Sequence, residues 1–147
     1  EAEHQQVRMA ESLGNMSDAF FIYRAIEDER ILYANPAVME LFGCETMTEL
    51  MELVRCSFRG MVHPEDLARV EWEITNQIRS SDSNMDYVQY RIIRKDGEIR
   101  WVDDVGHLEA SKWGEEHRLF YVFLKDITDT ITSVQKEKLL NSNRFYT

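Results

Sequence analysis

Residues 119–124, Leu-Phe-Tyr-Val-Phe-Leu, form an unbroken apolar and aromatic run. Successive side chains of a strand point to opposite faces, so the sets Phe120, Val122, Leu124 and Leu119, Tyr121, Phe123 both shun water. Such a strand belongs in the middle of a sheet that is covered on both sides. The run stops at Lys125-Asp126-Ile127-Thr128-Asp129 and turns into a segment of helical character. The most buried strand therefore ends where a helix begins, which makes this junction the first place to look for function.

The remaining sequence supplies partners for that strand. The stretch AFFIYRAIEDERILYAN reads as a strand over 19–25, a polar turn at Glu27-Asp28-Glu29 and a second strand over 30–34. Asn35-Pro36 is a helix cap with proline at the first helical position, Val38, Leu41 and Phe42 share one face, and Gly43 is the stop. Thr46 and Glu49 have capping-box spacing ahead of Leu50, Leu53 and Val54. His63-Pro64-Glu65-Asp66 places proline and acids in the first turn of a longer helix carrying Leu67, Val70, Ile74 and Ile78. Then YVQYRII, the turn RKDG, EIRWVDDVGHLEA and the closing run form an antiparallel meander. Val7, Ala10, Leu13 and Met16 recur at three-residue steps, as in an amphipathic helix. The expected division is an N-terminal helix over 1–16, a core over 17–129 and an exit helix over 130–147. Five strands with helices grouped on one side make an α+β domain with one antiparallel sheet.

A chain of 147 residues has room for one core. Its net charge of −10 opposes nucleic acid and anionic lipid surfaces. There is no apolar run near the ~20 residues of a membrane span and no signal-peptide pattern. Cys44 and Cys56 make neither a disulfide framework nor a zinc motif, so a reducing cytoplasmic setting is expected. The start at Glu1 and the helix-like end at Thr147 are read as those of a segment from a larger protein, which itself can be membrane-anchored.

The element order, with YANPAV, VHPEDL, YRIIRKDGEIRWV and FLKDITD, resembles the PAS sensory domain, in the variety with His-Pro-x-Asp before the long helix and Asp-Ile-Thr after the last strand. The resemblance covers roughly residues 17–129. It implies a five-stranded sheet in spatial order 2-1-5-4-3, with helices enclosing a pocket against its inner face; the N-terminal and exit helices read from the residues then flank this domain. It also implies a sensor module of bacterial two-component or diguanylate cyclase signalling, whose output passes to an attached C-terminal effector.

Asp126, Ile127 and Thr128 match the family's signal-exit triplet. Independently of it, Thr128 is suited to cap the next helix, and Asp126 needs a partner at the sheet rim: Arg94, Lys95, Arg100 or backbone N–H groups. The competing reading is that these residues only end a strand and start a helix. On the last strand, matching to the family turns Phe120, Val122 and Leu124 inward and leaves Leu119, Tyr121 and Phe123 outside beside Trp101. That strip is expected to be covered by the helix of Val7, Ala10 and Leu13, from the same chain or in a homodimer.

The pocket candidates are Met39, Phe42, Met61, Ile92, Val102 and Leu124, joined by Asp104 through two-residue alternation from Val102. A carboxylate there needs a cation, an arginine, water or a proton. Flavin is disfavoured, because the ring-binding positions of the light-sensing branch are Ile92, Val102 and Leu124 here and Cys56-Ser57-Phe58 lacks that branch's neighbours. Haem and metal are disfavoured, since His4, His63, His107 and His117 fit capping or surface roles. No cofactor is expected, and no enzyme, because Asp103 and Asp104 point to opposite faces of a strand. A ligand-free dimerisation and relay module with a filled core is the alternative to a small-molecule sensor.

Overall fold

The computed structural model describes residues 18–26, 28–109, 114 and 117–146. Its strands are β1 (Ala19–Arg24), β2 (Ile31–Ala34), β3 (Met85–Ile93), β4 (Ile99–Glu109) and β5 (Leu119–Asp126). They form one antiparallel sheet in the order β2-β1-β5-β4-β3. The doubly apolar run is the central strand. Between β2 and β3 lie α1 (Pro36–Leu41), α2 (Met47–Val54), the single turn α3 (Phe58–Met61) and the long α4 (Leu67–Ser80), while α5 (Ser133–Ser142) follows β5. The sequence reading foresaw three helices in this stretch; α3 is the fourth, started by Ser57, whose hydroxyl accepts from the Gly60 amide at 3.2 Å.

The caps explain most of the boundaries. Asn35 accepts from the Val38 amide at 3.2 Å and from Phe20 at 3.0 Å, and donates to the Asp18 carbonyl at 2.8 Å, so one buried side chain starts α1 and fixes it to β1. Thr46 accepts from the Glu49 amide at 3.1 Å, one half of the capping box; the Glu49 carboxylate takes the Glu45 amide at 3.0 Å in place of that of Thr46. At α4 the expectation fails. Asp66 precedes the helix and makes no capping bond, because its carboxylate is drawn away to Arg91 and Asn143.

Phe120, Val122 and Leu124 face inward, packed with Phe21, Tyr23, Val38, Phe42, Phe58, Val88 and Ile92. On the other face Phe20, Ile22 and Leu119 form a second buried cluster with Tyr121 against it. The Val7, Ala10 and Leu13 expectation lies outside the described residues.

β3 is an edge strand, and open edges invite pairing with other chains. Here α4 closes it with side chains. The Arg91 amide donates to Asp66 at 2.8 Å, Arg69 donates to the Gln89 carbonyl at 2.9 Å, and Gln77 both accepts from the Tyr87 amide at 2.7 Å and donates to its carbonyl at 3.0 Å.

Candidate functional site: the exit junction and the inner face

β5 ends at Asp126, opposite Val102 of β4. Arg100 donates to the Asp126 carboxylate through Nε at 2.9 Å and lies 2.7 Å away through Nη2. The other Asp126 oxygen accepts from the Thr128 amide at 3.0 Å and hydroxyl at 2.7 Å. Thr128 in turn accepts from the Trp101 amide at 2.9 Å, and the Ile127 amide donates to the Trp101 carbonyl at 2.8 Å. Partial burial acts to raise the Asp126 carboxyl, but the bonds from Thr128 and Arg100 outweigh it and hold it below its ordinary value.

Of the three cations weighed for Asp126, Arg100 takes the place. Lys95 pairs with Glu49 at 3.0 Å, and Arg94 donates to the Leu41 carbonyl at 2.8 Å. Thr128 does not cap the exit helix, because its hydroxyl is already committed to Trp101 and Asp126. A turn over 127–131 intervenes, and Thr132 caps α5 in a reciprocal box with Gln135, accepting at 3.1 Å and being met at 2.9 Å. The Thr-x-x-Gln spacing was legible and was missed. Trp101 also differs from expectation: the register sets Val105 opposite Phe123, so Trp101 lies past the end of β5, buried, with the Arg91 guanidinium 5.6 Å from its ring centre.

The exit segment returns to the domain. α5 has no buried residue, and Val134 is 75% exposed. Beyond it, Asn143 is buried, accepting from Arg69 at 2.6 Å and donating to Asp66 at 2.7 Å, and Tyr146 meets Trp72 with ring centres 5.7 Å apart. Arg69, with no exposed surface, binds Asn143, Gln89 and Glu73 together. Nothing in the sequence marked Asn143, since a single asparagine near a chain end has no periodic signature.

The pocket candidates Phe42, Met61, Ile92, Val102 and Leu124 are contiguous members of the inner core, with Met39 half-buried against it. Asp104 is inward and buried, accepting from the Tyr90 hydroxyl at 2.6 Å. Asp103 faces the other way, toward Tyr87 and Gln89. Sequence reasoning missed Asp86, which shares the inner face by alternation with Val88 and Tyr90. It is 3% exposed and neither oxygen has a hydrogen-bond partner among the described residues. It lies over Gly106, where a Cβ would come within 2.7 Å of a carboxylate oxygen, so glycine makes the room. Burial alone pushes Asp86 up to about 7, and burial with the Asp86 charge pushes Asp104 well above the usual carboxylate range.

Ile92, Val102 and Leu124 are packed in the core and carry no side-chain polar atom, so these positions do not fit the polar edge of a flavin ring. Among the described residues no group of three or more His, Cys, Asp or Glu is placed to hold a metal, and no helix is long and apolar enough to cross a membrane.

A family profile described as the PAS fold matches residues 31–122, more than half of the chain. This chain belongs to the PAS fold family. Its five-stranded antiparallel sheet in the order β2-β1-β5-β4-β3 is that of the PAS fold. Solved structures agree on the fold. A PAS domain from a two-component sensor histidine kinase is 18% identical with a TM-score of 0.60, covering 86% of this chain and 99% of that one. A PAS domain from Colwellia psychrerythraea is 17% identical with a TM-score of 0.65, covering 84% and 98%. An RNA-binding light-oxygen-voltage receptor is 17% identical with a TM-score of 0.63; the alignment covers 95% of this chain, which spans 37% of that receptor. No curated protein matches the chain.

Proposed function

We propose that this PAS domain is a sensor and relay module of a larger signalling protein, of the histidine kinase or diguanylate cyclase type, acting as a homodimer in the cytoplasm and passing its state through Asp126, Ile127 and Thr128 to an attached effector. The observation that carries this reading is the Asp126 network. One carboxylate ties the end of the central strand to Arg100 of the neighbouring hairpin and to the first residue of the exit turn. The pair is partly solvated, with side chains 24% and 31% exposed, so it is worth about 0.5–1 kcal/mol. A bias of that size tips a two-state junction without locking it. The return of Asn143 to Asp66 and Arg69 gives the exit helix a second attachment, so α5 is a lever held at both ends. Nothing in this reading requires the domain to be an enzyme.

Replacing Asp126 by alanine in the full signalling protein should change basal output or the response to stimulus. Unchanged output in both states would remove the switching role. A ligand-free relay is the second reading, favoured by the dense packing of Phe42, Met61, Ile92, Val102 and Leu124.

A further inference from the structure

A cavity of about 270 Å³ opens at the end of the inner face remote from Asp126, between β1, the β1–β2 connection, α3, α4 and the start of β5. Its walls are the apolar Ala25, Phe58, Ile74, Ile78 and Phe120, with Tyr23, Glu29, Glu71, Thr75 and Arg79 as polar members. That is below the ~300–1,000 Å³ of drug-sized pockets, which restricts an occupant to a small metabolite.

Tyr23 is the decisive residue. Its ring is clamped between Phe58, 4.5 Å away at 5°, and Phe120, 5.0 Å away at 16°. The side chain is 3% exposed, it lines the cavity, and its hydroxyl makes no hydrogen bond among the described residues. Burial, then the charges of Asp104, Glu29, Asp86 and Glu71, hold the hydroxyl protonated. The protonated phenol keeps its oxygen lone pairs as acceptors, and the Glu71 carboxylate on the same cavity wall supplies negative charge beside them. What fits such a position is a cationic donor.

The charges of the lining are unequal in their commitments. Glu29 is held by Arg59 at 3.3 Å. Glu71 is half-buried and has no hydrogen bond or ion pair among the described residues. Arg79 is exposed and stands eight residues further along α4, about 12 Å along the axis at 1.5 Å per residue, too far to neutralise Glu71 directly. The chain's net charge of −10 adds a long-range attraction for cations.

We propose that the cavity binds a small organic amine, its ammonium group held by the Tyr23 oxygen and the Glu71 carboxylate and its apolar body laid against Phe58, Phe120, Ile74 and Ile78. This deepens the sensor reading by naming the chemical class of the input, yet it is tested without any effector. Loss of amine binding would leave a ligand-free relay intact, whereas a silent Asp126→Ala variant would remove the relay whatever the cavity binds.

The test uses the full chain and three matched probes at millimolar concentration: 2-phenylethylamine, 2-phenylethanol and phenylacetate, followed by calorimetric titration and by the shift in melting temperature. The amine should bind and raise the melting temperature, and the neutral and anionic analogues should not. Tyr23→Phe keeps the ring stack and Glu71→Gln keeps the shape of a side chain already touching solvent. Each should weaken the amine at least about tenfold, the loss of one charge-assisted hydrogen bond, without lowering the unliganded melting temperature by more than a few degrees. Equal binding of all three probes, binding of none, or amine binding indifferent to both substitutions would each overturn the proposal.

Discussion

The Asn143 side-chain amide donates to the Asp66 carboxylate at 2.7 Å, joining residues 77 positions apart. With the Arg69 contact at 2.6 Å it fastens the end of the exit segment to the start of α4. Both of its partners are charged and buried. Asn143→Ala should therefore cost about 1.5–3 kcal/mol in urea unfolding. Hydrogen exchange over residues 133–146 should accelerate while β4 and β5 keep their protection. Unaltered exchange in that segment would mean the contact does not restrain the lever.

Arg69 carries more of the structure than its charge suggests. Arg69→Met fills the volume but leaves Asn143, Glu73 and the Gln89 carbonyl without their donor. The expected loss is about 3–5 kcal/mol, read from the unfolding midpoint at unchanged slope.

The Asp126–Arg100 pair should show a coupling of about 0.5–1 kcal/mol in a double-mutant cycle for stability, using Asp126→Asn and Arg100→Gln. Because the folded carboxyl lies below its unfolded value of ~3.9, its contribution is present above that pH and lost as pH falls through the folded value. The coupling should be constant from neutral pH to about 5 and vanish in strong acid. A coupling that persists in strong acid would assign it to packing instead.

Asp86 has the opposite sign. Its folded carboxyl is pushed up to about 7 against ~3.9 unfolded, so the folded state holds a proton that the unfolded state has released. Its share of the stability should be lost as pH rises from about 4 to 7, on top of the fall that the likewise raised Asp104 adds. Asp86→Asn removes its share of the penalty, and at pH 8 should stabilise by about 2–4 kcal/mol while making the profile shallower over this range, the remaining slope being that of Asp104. A wild-type melting temperature independent of pH between 5 and 8 would rule this out.

The architecture was written in local patterns. The doubly apolar run of 119–124 had to be central, Asn35-Pro36 and Thr46 had to start helices, and alternation was enough to turn Asp104 inward, as it would have been for Asp86. Each of these follows from a period of two or from a cap within four residues, which a sequence displays directly. The candidate sites were less visible. Arg100 was one of three equivalent cations until the β4–β5 register set Val102 opposite Asp126. Trp101 was misplaced for the same reason.

What the sequence by itself determined was which strand lies in the middle, which faces are greasy and where helices begin, because those depend on neighbours a few residues away. Only the tertiary structure decided that Asp66 abandons its helix for Arg91 and Asn143, that Thr128 serves Trp101 rather than α5, and that Tyr23 and Glu71 line one cavity. A polar side chain takes whichever partner the folded chain brings within about 3 Å, and that choice is made across tens of residues, where composition and periodicity have no reach.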